Sequence, residues 1–128
     1  MVSDPQPVAR LGICDDVPAF RRLLSLVFQM ENDIEVVGEA GNGLEAIDLV
    51  SSRVVDVLLI DMSMPIMDGL EALPKILDAS PSTKVVMLTG FGTDAIRRRA
   101  MDAGAARYLE KGLLPDEILR AIREVHAS

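Results

Sequence analysis

Five residue positions in this 128-residue sequence can do chemistry together: Asp15-Asp16, Asp61, Thr89 and Lys111. Each follows or ends a short apolar run. Asp15-Asp16 come after Val8–Cys14, Asp61 after Val57–Ile60, Thr89 after Lys84–Leu88, and Glu110-Lys111 after Ala106–Leu109. Three carboxylates brought close repel one another and raise each other's pKa unless a cation intervenes. Hard carboxylate oxygens favour Mg²⁺ or a similar hard cation. A carboxylate can itself accept a phosphoryl group and become an acyl phosphate. A lysine ammonium, the Thr89 hydroxyl and a close-approaching backbone at Gly90 are the further parts needed to neutralise a transferring phosphoryl group. The set therefore reads as a Mg²⁺-dependent phosphoryl site, provided the fold gathers it.

The elements that must do so alternate. Val8–Cys14 reads as a strand, and Pro18 opens a helical stripe of Phe20, Leu23, Leu24, Val27 and Phe28. Ile34–Ala40 is a second strand, closed by the turn residues Gly41-Asn42-Gly43, and Ala46, Ile47 and Val50 mark a second helix. Val57–Ile60 is apolar without a break and so reads as a strand buried on both faces. After a loop over Met62–Gly69, a third helix is expected through Leu70, Leu73 and Leu77, with a bend or a late start because Pro74 sits inside it. Lys84–Leu88, a helix at Asp94–Ala103, Ala106–Leu109 and a helix at Pro115–His126 complete the pattern. Ile118, Leu119, Ile122 and Val125 should face inward on the last helix. Strand–helix alternation of this kind calls for a parallel sheet covered on both faces. The expected class is α/β, a flavodoxin-like doubly wound sheet of five strands in order 2-1-3-4-5 with five helices. In that order strands one and three are neighbours, and the three Asp residues meet where the strand order reverses, the usual ligand site of such sheets.

Composition narrows the functional classes. Thirteen basic against twenty acidic residues give a net charge of −7, which argues against direct nucleic-acid binding and against a polybasic membrane binder. One Cys and one His exclude an intramolecular disulfide and multi-Cys or multi-His metal sites. No stretch approaches the roughly 20 apolar residues of a bilayer span, and the N-terminal Met1–Pro7 lacks the pattern of a secretion signal. A single domain over residues 1–128, with its core at about 8–126, in the cytoplasm, is the expectation.

The pieces Ile13-Cys14-Asp15-Asp16, Leu59-Ile60-Asp61-Met62-Ser63-Met64-Pro65-Ile66-Met67-Asp68-Gly69, Val86-Met87-Leu88-Thr89-Gly90 and Gly104-Ala105-Ala106-Arg107-Tyr108-Leu109-Glu110-Lys111-Gly112 are each weak motifs, but their order and spacing are specific. Together the sequence resembles the receiver domain of bacterial two-component response regulators. The stretch Tyr108–Gly112 looks most like receivers that precede helix-turn-helix DNA-binding domains. The resemblance implies Asp61 as phosphoacceptor, and Asp15, Asp16, Asp61 and the Ser63 carbonyl as Mg²⁺ ligands. It implies Lys111 and Thr89 as phosphoryl contacts, and Tyr108 as a switch residue that follows Thr89 inward. It further implies a sensor histidine kinase as donor, and a homodimer or output partner on the face of helix four, strand five and helix five, where Arg97-Arg98-Arg99 and Arg107 form a basic patch. Gly112 stands where many receivers have a cis-linked proline, which leaves the Lys111–Gly112 bond open. Phe91 is expected to restrict access of water or a partner.

Plainer readings stand beside these. Asp15 and Asp16 also suit a helix cap, Thr89 a strand end, Lys111 a solvated surface and Tyr108 simple packing. Cys14 reads as a small core residue and His126 as surface. Two other functions compete. One is an aspartyl-phosphate hydrolase, which would need a second Asp two residues after Asp61, where Ser63 stands. The other is a degenerate receiver that binds partners without being phosphorylated.

Overall fold

The computed structural model describes residues 8–90 and 92–128; the expectations for Met1–Pro7 and Phe91 lie outside them. The element order is β1 (Ala9–Cys14), α1 (Pro18–Gln29), β2 (Ile34–Ala40), α2 (Gly43–Ser52), β3 (Val57–Asp61), α3 (Gly69–Ala79), β4 (Lys84–Thr89), α4 (Asp94–Asp102), β5 (Arg107–Glu110) and α5 (Pro115–Ala127). All strand pairs are parallel, in the order β2-β1-β3-β4-β5. The expected architecture is the one observed.

Period-two alternation along the central strands divides the core into two layers. Leu58 and Ile60 of β3, with Val85 and Met87 of β4, pack with Ala46, Val50, Leu73 and Ile76 under α2 and α3. Val57, Leu59, Val86 and Leu88 point the other way, toward Leu24 and Phe28 of α1 and Ile118, Leu119, Ile122 and Val125 of α5. Every residue of β3 is buried, as its unbroken apolar run requires.

One expectation needs correction, and another is narrowed. The α1 stripe is narrower than the sequence pattern: Leu24 and Phe28 are buried with Ser25 beside them, whereas Leu23 is 54% exposed. The third helix does not start late. Asp68 caps it at Gly69, its Oδ1 accepting from the Glu71 N–H at 2.8 Å, and the helix runs through Pro74. Pro74 lies on the exposed face of the helix.

Arg123 of α5 ties that helix to the turn before β2. Its Nε and Nη2 donate to Asp33 at 2.8 Å each, and Nη2 also donates to Glu31 at 2.9 Å. The guanidinium hydrogen bonds hold the Asp33 carboxyl below its ordinary value, against the opposing effect of burial. A group lowered in the folded state stabilises above its unfolded pKa and ceases to as pH falls through the folded one. Both partners are partly hydrated, so Arg123→Ala should cost no more than about 1 kcal/mol near neutrality. Urea unfolding of the two proteins should then converge as the pH is taken below the ordinary range of an Asp carboxyl.

Candidate functional site

The strand register gathers the five positions. Cys14 pairs with Ile60, Asp61 with Leu88, and Thr89 with Glu110, so the residues that end or follow β1, β3, β4 and β5 share one rim. Asp15 and Asp61 are 2% and 4% exposed, while Asp16 is open to solvent. One oxygen from each of the three carboxylates lies within 4.8 Å of the others. Lys111 Nζ donates to Asp61 Oδ2 at 2.9 Å and lies 2.9 Å from Asp15 Oδ2. Its ammonium also sits 5.1 Å from the centre of the Phe20 ring.

The remaining carboxylate oxygens are held by backbone. Asp15 Oδ1 accepts from the Val17 N–H at 2.9 Å, and Asp61 Oδ1 from the Ser63 N–H at 3.2 Å. Neither Asp15 nor Asp16 caps α1, because Val17 occupies the cap position without a side-chain bond. Asp15 Oδ2 is buried and receives no hydrogen bond among the described residues; the nearby Lys111 charge is its compensation. Burial pushes the Asp61 carboxyl above its ordinary value, hydrogen bonds from Lys111 and Ser63 pull it part of the way back, and the Asp15 charge raises it again. Burial works against the Lys111 ammonium, but its pairing with the Asp61 and Asp15 carboxylates outweighs that and raises its pKa, so it stays charged. A buried carboxylate oxygen without a donor, in a cluster of three hard oxygen ligands, fits a divalent cation of the Mg²⁺ type.

The loop after Asp61 is fixed on both sides. The Met62 N–H donates to the Leu88 carbonyl at 2.8 Å, and the Gly69 N–H to the Met62 carbonyl at 2.9 Å. A Cβ on Gly69 would run into the Asp61 carbonyl oxygen and reach 3.0 Å from Met87 Cε. Between them Ile66 has φ 70° and is 76% exposed. That is a rare conformation for a β-branched residue, and no sequence signal announced it. The Lys111–Gly112 bond is trans, since the described residues contain no cis peptide.

Thr89 is 4% exposed and lines a cavity of about 570 Å³ together with Asp16, Asp61, Gly90 and Lys111. Tyr108 packs against the core layer under α2, α3 and α4. Its hydroxyl is buried, has no hydrogen-bond partner among the described residues, and occupies the space a Cβ on Gly92 would take. Sequence reasoning placed Arg99 only in the basic patch, yet it lines the cavity with Asp61. The available signal was the helical offset: Arg99 is three residues past Ile96, which lines the same cavity, whereas Arg97 and Arg98 turn to a separate groove with Asp94 and Met101. Arg107 pairs with Glu124 at 3.1 Å on the surface.

Cys14 is buried, and burial pushes its thiol to about 12, which makes it an inert core residue as expected. His126 is half-buried in the last turn of α5, near the end where Lys84 opens β4 and donates to the Val125 carbonyl at 3.0 Å, away from the carboxylate rim.

A family model described as the response regulator receiver domain matches residues 11–123. The transcriptional regulatory protein YxjL of Bacillus subtilis is 40% identical over 114 residues, which are 89% of this chain and 52% of that protein. The response regulator UvrY of Escherichia coli is 39% identical over 115 residues, 90% of this chain and 53% of that protein. The chain thus spans about half the length of these relatives. Among solved structures, the signal receiver domain of NarL from Mycobacterium tuberculosis superposes with a TM-score of 0.90 at 30% identity, covering 95% of this chain and 98% of that one. The response regulator domain of CheB from Thermotoga maritima gives 0.87 at 29% identity, covering 94% of this chain and 98% of that one. Among the described residues no helix is long and apolar enough to cross a membrane.

Proposed function

The chain belongs to the response regulator receiver domain family, and from that footing we propose that it is a phosphoacceptor switch whose acceptor is Asp61. The observation that carries this reading is the buried Asp61 carboxylate, hydrogen-bonded to Lys111 at 2.9 Å, inside a cluster of three carboxylates. Asp15, Asp16, Asp61 and the Ser63 carbonyl would hold Mg²⁺. Once bound, the ion would offset carboxylate repulsion and the charge of the phosphoryl oxygens. An Asp61 oxygen attacks the phosphorus of a phosphohistidine on a sensor histidine kinase. The new P–O bond forms as the P–N bond breaks, and the imidazole leaves with the electron pair. Lys111 and the Thr89 hydroxyl then hold phosphoryl oxygens. The Ser63 N–H, already aimed at Asp61, keeps the acceptor oriented.

The response would run through Thr89 to Tyr108 and bias the arrangement of α4, β5 and α5, the face on which a second copy or an output partner would dock. The relatives are about twice as long and are named as transcriptional regulators or response regulators, which supports control of transcription through a domain outside this chain. A hydrolase reading has no second Asp to serve it, because Ser63 stands two residues after Asp61.

Intact mass after incubation with Mg²⁺ and acetyl phosphate tests the assignment. One phosphoryl adduct is expected, dependent on Mg²⁺, labile to hydroxylamine and absent from Asp61→Asn. An adduct that survives Asp61→Asn would overturn the choice of acceptor. No adduct, together with no binding of beryllofluoride, would favour a phosphorylation-independent binding module.

A further inference from the structure

The cavity over Asp61 is walled by three carboxylates, Asp16, Asp61 and Asp68, and by two cations, Lys111 and Arg99. Lys111 is committed: its ammonium is shared between Asp61 and Asp15 at 2.9 Å each. Arg99 makes no ion pair among the described residues, so its five N–H donors are the cationic donors in the cavity not already engaged by a carboxylate. It stands on α4, one helical turn past Ile96, and lines the cavity that Asp61 also lines. A phosphoryl donor approaching Asp61 is an anion entering a wall whose acidic groups outnumber its cations, and it needs a positive partner on the entry side.

We propose that Arg99 is a donor-binding residue: its guanidinium holds the anionic oxygens of the phosphoryl donor as it enters, and so sets preference for strongly anionic donors. The shape and chemistry agree. A guanidinium presents a planar fork that matches phosphate oxygens, which a second lysine would meet only as a point charge. A divalent cation among Asp15, Asp16 and Asp61 would offset the acidic charge but would leave the α4 side of the opening without a donor. Leu70 and Ile96 supply apolar wall beside Arg99, suited to the carbon part of a leaving group. The inference rests on the phosphoacceptor reading, with Arg99 outside the group that carries out transfer.

The test is the concentration dependence of adduct formation, followed by intact mass, for the unsubstituted protein, Arg99→Ala and Arg99→Lys. Acetyl phosphate serves as a dianionic donor and phosphoramidate as a less charged one. Arg99→Ala should slow uptake from acetyl phosphate by roughly three- to tenfold, the order expected of one partly hydrated charge-assisted contact. The loss should appear as a higher half-saturating concentration, and it should be smaller with phosphoramidate. Arg99→Lys should recover part of it. Equal rates for Arg99→Ala and the unsubstituted protein with acetyl phosphate would overturn the role of Arg99 while leaving Asp61 as acceptor. An equal loss with both donors and an unchanged half-saturating concentration would mark Arg99 as structural and overturn the proposal as well. If the unsubstituted protein takes up no phosphoryl group from either donor, the phosphoacceptor reading falls first and the role of Arg99 falls with it.

Discussion

Lys111→Met is expected to lose about 3 kcal/mol of stability in the presence of a chelator, the low end of the cost of removing one partner from a buried ion pair. The low end applies because the Lys111 side chain keeps 26% of its surface in water, whereas Asp15 and Asp61 keep 2% and 5%. The substitution leaves two buried carboxylates facing each other with no cation between them. Millimolar Mg²⁺ should therefore stabilise Lys111→Met more than it stabilises the unsubstituted protein, since the ion takes over the neutralising role. Pairing the change with Asp61→Asn should recover part of the loss, with a coupling of about 0.5–3 kcal/mol for groups in one network. Urea unfolding of the four proteins with and without Mg²⁺ gives every quantity. Additive losses would mean that Lys111 stabilises the fold through its stem rather than through the carboxylates.

Gly69→Val should damage stability and phosphoryl uptake together. Its Cβ meets the Asp61 backbone carbonyl, which is pinned in β3, and not the yielding end of a long side chain. Either the strand end that carries the acceptor moves or the first turn of α3 does. Overpacking of this kind costs about 1–3 kcal/mol and occasionally more, and the upper end is expected where backbone meets backbone. The test is a pair of measurements, the denaturant midpoint and the rate of adduct formation. A protein that loses stability but phosphorylates at the normal rate would show that α3 yields and Asp61 does not.

Most of the fold was legible because its signals are local. The unbroken apolar run Val57–Ile60, the turn Gly41-Asn42-Gly43 and the stripe Ile118, Leu119, Ile122, Val125 each specify an element without reference to the rest. The carboxylate cluster was legible for a related reason: strand ends can be read one at a time, and a parallel sheet brings them to one rim. What the sequence concealed depends on contacts across the chain. Leu23 obeys helical spacing, yet α1 meets the sheet along a line too narrow to cover it. Pro74 warned of a bend or a late start, but Asp68 caps the helix at Gly69 and the helix runs on through the proline. Gly69 read only as the end of a loop, although its lack of a side chain answers to the Asp61 carbonyl. Arg99 was hidden by its neighbours, because three arginines in a row look like one patch until the helix turns them apart.

The Tyr108 hydroxyl, seated against Gly92 and without a hydrogen-bond partner among the described residues, has an optical consequence. The sequence contains no Trp and a single Tyr. Excited at wavelengths that phenylalanine does not absorb, this protein therefore emits from one ring, at the junction of β5 with the start of α4. A phenol in a dry seat without an acceptor differs in intensity and quencher access from one released into water. Every rearrangement of that seat, whatever drives it, reaches an observer as a signal without background and without an added label.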